Sequence, residues 1–172
     1  ELISAFKMLK EIRGNVLLVF AGAPSLVKGR EFLSQLNSMI AEKNLEEDIV
    51  FVGWINDVDM FALCSITDCF VLLYKLVMSA SSKLPLITTY LPKTPIICTD
   101  QPILKEQLMG HEHVHFVPLN FSSTDLEKTL AETLNLSEEN MNRSEEILTF
   151  PLNETESKAL LLDLISIYEN AV

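Results

Sequence analysis

Glycine is scarce in this chain, five in 172 residues, and none of the five opens a phosphate-cradling loop: neither G-x-G-x-x-G nor a Walker pattern occurs. Nucleotide phosphates, if bound, must be held by other means. Cations are scarce too, 13 Lys plus Arg against 24 Asp plus Glu, which leaves a net charge of -11. Affinity for nucleic acid comes largely from neutralised phosphates, so no nucleic-acid partner is expected. A single small nucleotide remains compatible, because backbone N–H groups at a helix start can hold a diphosphate without a basic surface.

No apolar run approaches the roughly 20 residues of a membrane span, and no basic-then-apolar leader opens the sequence. A soluble domain is therefore expected, with the cytoplasm as its compartment. Only three cysteines occur, Cys64, Cys69 and Cys98, in apolar positions without metal-ligand spacing, so they read as buried free thiols. Asn-x-Ser/Thr triplets begin at Asn120, Asn135, Asn142 and Asn153, but such triplets arise readily in an Asn- and Ser-rich chain.

What is present is a repeated grammar of short apolar runs and amphipathic stretches. Asn15–Ala21 (NVLLVFA) is continuously apolar and ends at Gly22, as a strand buried on both faces does. Ile49–Val52 and Cys69–Leu73 flank a helix opened by Asp57, and Pro95–Thr99 follows a second crossover. Val114–Val117 is one more strand. Between them the spacing predicts helices over Glu1–Arg13, with Leu2, Phe6, Leu9 and Ile12 inward, and from Pro24–Ser25 on, with Phe32, Leu36, Met39 and Ile40 inward. A short helix over Leu84–Tyr90 and another from Pro102 to Gly110 follow, then Thr124–Leu134 with Ser123 or Thr124 as cap. Ser137–Leu148 reads as polar and exposed, and a last helix is expected after Asn153, with Leu160, Leu161, Leu164, Ile165 and Tyr168 as its stripe.

The sum is an α/β fold: a three-layer, doubly wound, Rossmann-like sheet of about five to six parallel strands. One domain spanning 1–172 is the economical division, and a first residue that is already helical in pattern suggests a piece of a longer chain. Ligands of such sheets bind at the carboxyl ends of the strands, here the loops after Val52, Leu73 and Thr99.

The order of segments then becomes recognisable. Leu2–Leu9 (LISAFKML), Leu17–Gly22 (LLVFAG), Ile49–Trp54 (IVFVGW), Asp57–Leu63 (DVDMFAL), Cys64–Leu72 (CSITDCFVL), Leu84–Pro85 and Thr94–Asp100 (TPIICTD) resemble the carboxyl-terminal Rossmann-like domain of family-4-type (group 1) glycosyltransferases. The resemblance implies one half of a GT-B fold that carries a nucleotide-sugar donor. The acceptor would bind a separate amino-terminal domain, and transfer, with retention of configuration, would take place between the two. It implies a nucleoside diphosphate sugar as substrate, no cofactor, no metal, and an isolated domain that does not turn over. Any peripheral membrane association would run through the other half.

That family's motif is a pair of glutamates in a Glu-Gly-Phe-Gly-Leu-Pro-x-x-Glu stretch. Glycines let the backbone approach sugar and diphosphate; one carboxylate meets the transferred sugar and the other accepts from ribose hydroxyls. Aligned on Leu84–Pro85, the glutamate positions hold Ala80 and Thr88, and the glycine positions Ser81 and Lys83. Both carboxylates are absent. Two readings stay open: a diverged transferase, with Ser81, Ser82, Lys83, Leu84 and Thr88 on the diphosphate side and Gly53, Trp54 and Ile55 near the base, or a catalytically silent domain that binds or scaffolds a partner.

Other candidates weigh less. Trp54 suits stacking on a base and packing against another domain equally well. Gly22 suits a tight turn. Asp68 suits a backbone cap, and Glu106 a solvated helix face before any sugar contact. His111, His113 and His115 would share one face of a strand, one partly buried and two solvated, with no carboxylate or cysteine to complete a zinc set. No nucleophilic triad can be assembled.

Overall fold

The computed structural model describes residues 1–22, 26–74 and 94–141, apart from the side chains of 26–28, 61 and 135–141. The elements run α1 (Leu2–Arg13), β1 (Leu18–Ala21), α2 (Leu26–Glu42), β2 (Ile49–Gly53), α3 (Asp57–Ser65), β3 (Phe70–Leu72), β4 (Ile96–Thr99), α4 (Pro102–Gln107), β5 (Val114–Val117) and α5 (Ser123–Met141). Strands alternate with helices and every ladder is parallel, which makes the chain an α/β protein of Rossmann-like type. The described residues fall into two compact units, 2–60 and 61–141.

In the first unit β1 pairs with β2, Leu18 opposite Ile49 and Phe20 opposite Phe51. Phe20 and Phe51 stack with ring centroids 4.9 Å apart. Helices α1 and α2 cover this pair through Ile3, Phe6 and Ile40, which cluster with Leu45 and Ile49. Lys10 of α1 is paired with Asp48, just before β2.

Three expectations need correction here. Strand β1 is not buried on both faces: its residues are half-buried, Ala21 is exposed, and β2 is its single ladder partner among the described residues. Ile12 (69% exposed) and Phe32 (60% exposed) lie off the buried stripes. Helix α1 turns Ile3, Ala5, Phe6 and Leu9 inward, while in α2 the stripe runs through Leu33, Leu36, Met39 and Ile40. Phe6, Leu9, Leu36, Met39 and Ile40 lie inward as expected, and Ile12 and Phe32 at the margins of the stripes turn outward.

In the second unit β4 lies between β3 and β5, with Phe70 opposite Ile96 and Ile96 opposite Val114. All four residues of β4 are buried. Ile96 and Cys98 pack with Leu104 and Leu108 from and after α4, so this face of the sheet is closed by that short helix. Helix α5 buries Leu126, Leu130 and Thr133, and the Thr133 hydroxyl donates to Thr129 O at 2.7 Å, which satisfies it inside the core.

The described strands form two parallel sheets, of two and three strands. The cap of α5 is Ser122, not Ser123 or Thr124. Its Oγ accepts the Asp125 N–H at 3.1 Å, and Asp125 Oδ2 accepts in return from Ser122 N (3.0 Å) and Oγ (2.7 Å). Those bonds hold the Asp125 carboxyl below its usual range, the Ser122 hydroxyl contributing most. The helix also continues past Leu134 to Met141. The helices expected over Leu84–Tyr90 and after Asn153 lie outside the described residues.

Candidate functional site

The carboxyl ends of β1 and β2 finish on two glycines in the positive-φ region, Gly22 (φ 135) and Gly53 (φ 67). The Gly22 N–H donates to Gly53 O at 2.6 Å, beside a register step after Phe20 that leaves Ala21 opposite Gly53. A Cβ on either glycine would meet nothing within 4 Å. Glycine is required here by backbone conformation.

Gly53 leads into a short turn that is fixed from its far side. Asn56 caps α3: its Oδ1 accepts the Asp59 N–H at 3.0 Å and its Nδ2 donates to Asp59 Oδ2 at 2.7 Å. The cap is therefore Asn56, and α3 opens at Asp57 as expected. Between the strand and this cap stand Trp54, 70% exposed, and half-buried Ile55. Asp57 and Asp59 already occupy the first turn of α3, where they favour the helix dipole and oppose a phosphate. The chemistry left to this corner is that of an exposed aromatic side chain.

In the second unit the carboxyl ends of β3, β4 and β5 are tied by side chains. The buried Thr99 hydroxyl donates to Tyr74 O at 2.8 Å and accepts the Tyr74 N–H at 3.1 Å, while Gln101 Nε2 donates to the same carbonyl at 3.2 Å. The Asp100 N–H donates to Val117 O at 2.8 Å. The Asp100 carboxylate pairs with Lys105 at 2.8 Å, and Lys105 Nζ lies 5.5 Å from the centre of the Phe116 ring. Thr99, Gln101 and Asp100 were not singled out from the sequence; the polar Thr-Asp-Gln run closing an apolar strand was the available signal.

Of the expected site residues, Gly53, Trp54 and Ile55 stand together at the end of β2. Ala80, Ser81, Ser82, Lys83, Leu84 and Thr88 lie outside the described residues. Asp68 is exposed in the turn before β3, and Glu106 is exposed on α4.

The histidine string differs from expectation. Only His115 lies in β5; His111 and His113 precede it in a turn where the His113 N–H donates to His111 Nδ1 at 3.3 Å, and all three are half-buried. The strand begins too late to give them one shared face. No group of three or more His, Cys, Asp or Glu suited to a metal ion occurs among the described residues.

Cys64, Cys69 and Cys98 are free thiols, Cys64 and Cys98 buried and Cys69 half-buried. Burial pushes Cys64 and Cys98 up to about 11. Cys69 is pushed up to about 12, again chiefly by burial, against a hydrogen bond with the Ile97 backbone. Groups so held are protonated at neutral pH and are poor nucleophiles.

Strands that alternate with helices and pair in parallel define the Rossmann-like class of α/β proteins. Within that class, the family model described as Glycosyl transferases group 1 matches residues 1–148, and the chain belongs to that family, whose chemistry is glycosyl transfer on a GT-B fold. Neither the curated proteins nor the solved structures gave a match. Among the described residues no helix is long and apolar enough to cross a membrane.

Proposed function

We propose that this chain is the nucleotide-sugar donor-binding domain of a retaining glycosyltransferase, one domain over residues 1–172, joined in a longer chain to an amino-terminal domain that binds the acceptor. The observation that carries the reading is Trp54: a large aromatic side chain left exposed between Gly53 and the Asn56 cap, at the carboxyl end of a parallel strand, where ligands of such sheets bind. Its ring takes the base by stacking, with Gly53 and Ile55 alongside.

The acidic first turn of α3 repels a diphosphate, and the diphosphate is assigned to Ser81, Ser82, Lys83, Leu84 and Thr88, the positions that the family resemblance puts on its side. No metal or cofactor is called for, since hydroxyls, backbone N–H groups and one ammonium suffice to hold the pyrophosphate. Protonated free thiols suit the reducing cytoplasm as its compartment.

A second reading has its own observation. Aligned on Leu84–Pro85, Ala80 and Thr88 fall where the resemblance expects two glutamates, which favours a silent domain that supports a partner. A thermal-shift series with uridine, guanosine and adenosine diphosphates and their sugar conjugates separates the two. Donor binding raises the melting temperature with at least one nucleotide, by linkage of ligand to the folded state. A flat response to all of them overturns that reading and leaves the scaffold.

A further inference from the structure

We infer that a phosphate group binds in a small lysine-lined cavity of the first unit, between α1 and the turn that leads from α2 into β2. The cavity has a volume of about 220 Å³ and is lined by Lys7, Lys10 and Glu11 of α1 and by Lys43, Asn44 and Leu45 of the turn. Sites for drug-sized ligands run to roughly 300–1,000 Å³, so the size suits a small ion or the phosphate end of a larger molecule.

Charge singles this cavity out. The chain has 13 Lys plus Arg and a net charge of -11, yet three of its lysines meet here from two elements. All three are half-buried, where lysine is ordinarily exposed. Lys10 is paired with Asp48, but neither Lys7 nor Lys43 has an ion pair among the described residues, with Glu11 or with any other acid. Two ammonium groups are left uncompensated. Glu42, Glu46 and Glu47 stand close in sequence but are exposed, where water and salt screen them.

Structural duties do not account for the two lysines. A lysine at a helix end commonly serves the last carbonyls, but in α2 those of Ile40 and Ala41 already accept from the backbone N–H groups of Lys43, Asn44 and Leu45, at 3.1 to 3.2 Å. Packing of an aliphatic stem explains why one lysine is half-buried; it does not explain like charges gathered round one cavity, which repel until an anion joins them. A phosphate carries about -1.5 to -2 at neutral pH and so matches two ammonium groups, where a carboxylate matches one. Lysine serves phosphate as a point charge, and the Asn44 amide adds a neutral donor.

The site stands apart from the donor reading. It lies at the amino end of β2, whereas Gly53 and Trp54 close the carboxyl end of the same strand. A net charge of -11 opposes approach to an anionic bilayer, so the phosphate is expected to be a free one, not a lipid headgroup.

Calorimetric titration with inorganic phosphate, at an ionic strength held near about 0.15 M, tests the assignment. Wild type binds saturably. Lys7→Met and Lys43→Met each weaken binding about tenfold, the loss of one charge-assisted hydrogen bond, while Lys128→Met, at an exposed lysine of α5, leaves it unchanged. Melting curves separate a lost site from a lost fold, and both variants should melt as wild type does because neither lysine gives up an ion pair. No binding by wild type, unchanged affinity in the folded Lys7→Met and Lys43→Met variants, or an equal loss in Lys128→Met overturns the site. Sedimentation with phosphatidylcholine vesicles containing phosphatidic acid distinguishes the sources: protein left in the supernatant supports a free phosphate, and co-sedimentation that Lys7→Met abolishes keeps the site but assigns its phosphate to a lipid.

Discussion

Trp54 and Gly53 show how backbone and side chain divide the work at a single corner. The positive φ at Gly53 turns the chain out of β2, and the next residue is thereby left outside the packing that covers Val52. Because a Cβ at Gly53 finds open space, Gly53→Ala tests conformation alone: urea unfolding should show a loss of about 1–2 kcal/mol, the cost of a left-handed backbone for an L-residue. A neutral result would mean the turn relaxes freely.

The thiols give a second prediction at this scale. An unfolded thiol titrates near its ordinary value of 9.0, while Cys64, Cys69 and Cys98 in the fold titrate at about 11, 12 and 11. Above the lower value the unfolded state has released protons that the folded state retains, so the thiols' contribution is complete below pH 9 and is lost as pH rises through about 11 to 12. Melting temperature followed from pH 8 to 11 should decline, and less steeply when the three are replaced by alanine in a variant that still folds. Equal slopes would contradict the shifts.

Among the elements, β4 and β1 show what a sequence carries and what it does not. Both read as unbroken apolar runs, yet β4 has a strand on each side and complete burial, whereas β1 pairs only with β2 among the described residues. Composition marks a strand; it does not count its neighbours. The bounds of β5 and the start of α4 were legible because Pro102 and Gly110 punctuate the chain and four consecutive residues, Val114–Val117, fill the interval.

The opening of α3 at Asp57 was legible, whereas the cap of α5 was misplaced by a residue. Ser122 stands three residues before Asp125, while Ser123 beside it is chemically just as able. Ser122→Ala should lower stability by about 1 kcal/mol, measurable by urea unfolding, with the loss centred on α5. In β4, Ile96→Ala removes a wholly buried side chain packed against Leu104 and Leu108 and should cost about 2–5 kcal/mol.

For the whole molecule, family membership was readable because it rests on the order of many weak segments, which survives the loss of any single motif. The candidate site was only half readable. Gly53, Trp54 and Ile55 announce themselves as a glycine and an aromatic closing an apolar run, but the tie from Thr99 and Gln101 to Tyr74 joins residues some 25 positions apart, and nothing local signals it. Ligand binding, not fold, is the question that decides function.

Because Trp54 is the single tryptophan of the chain, its emission reports on the end of β2 and nowhere else. Titrated with uridine, guanosine and adenosine diphosphates and their sugar conjugates, that emission should change saturably with the nucleotide the domain accepts, as a base stacks on the indole. Emission that stays constant through millimolar concentrations of every one of them would contradict donor binding at this corner.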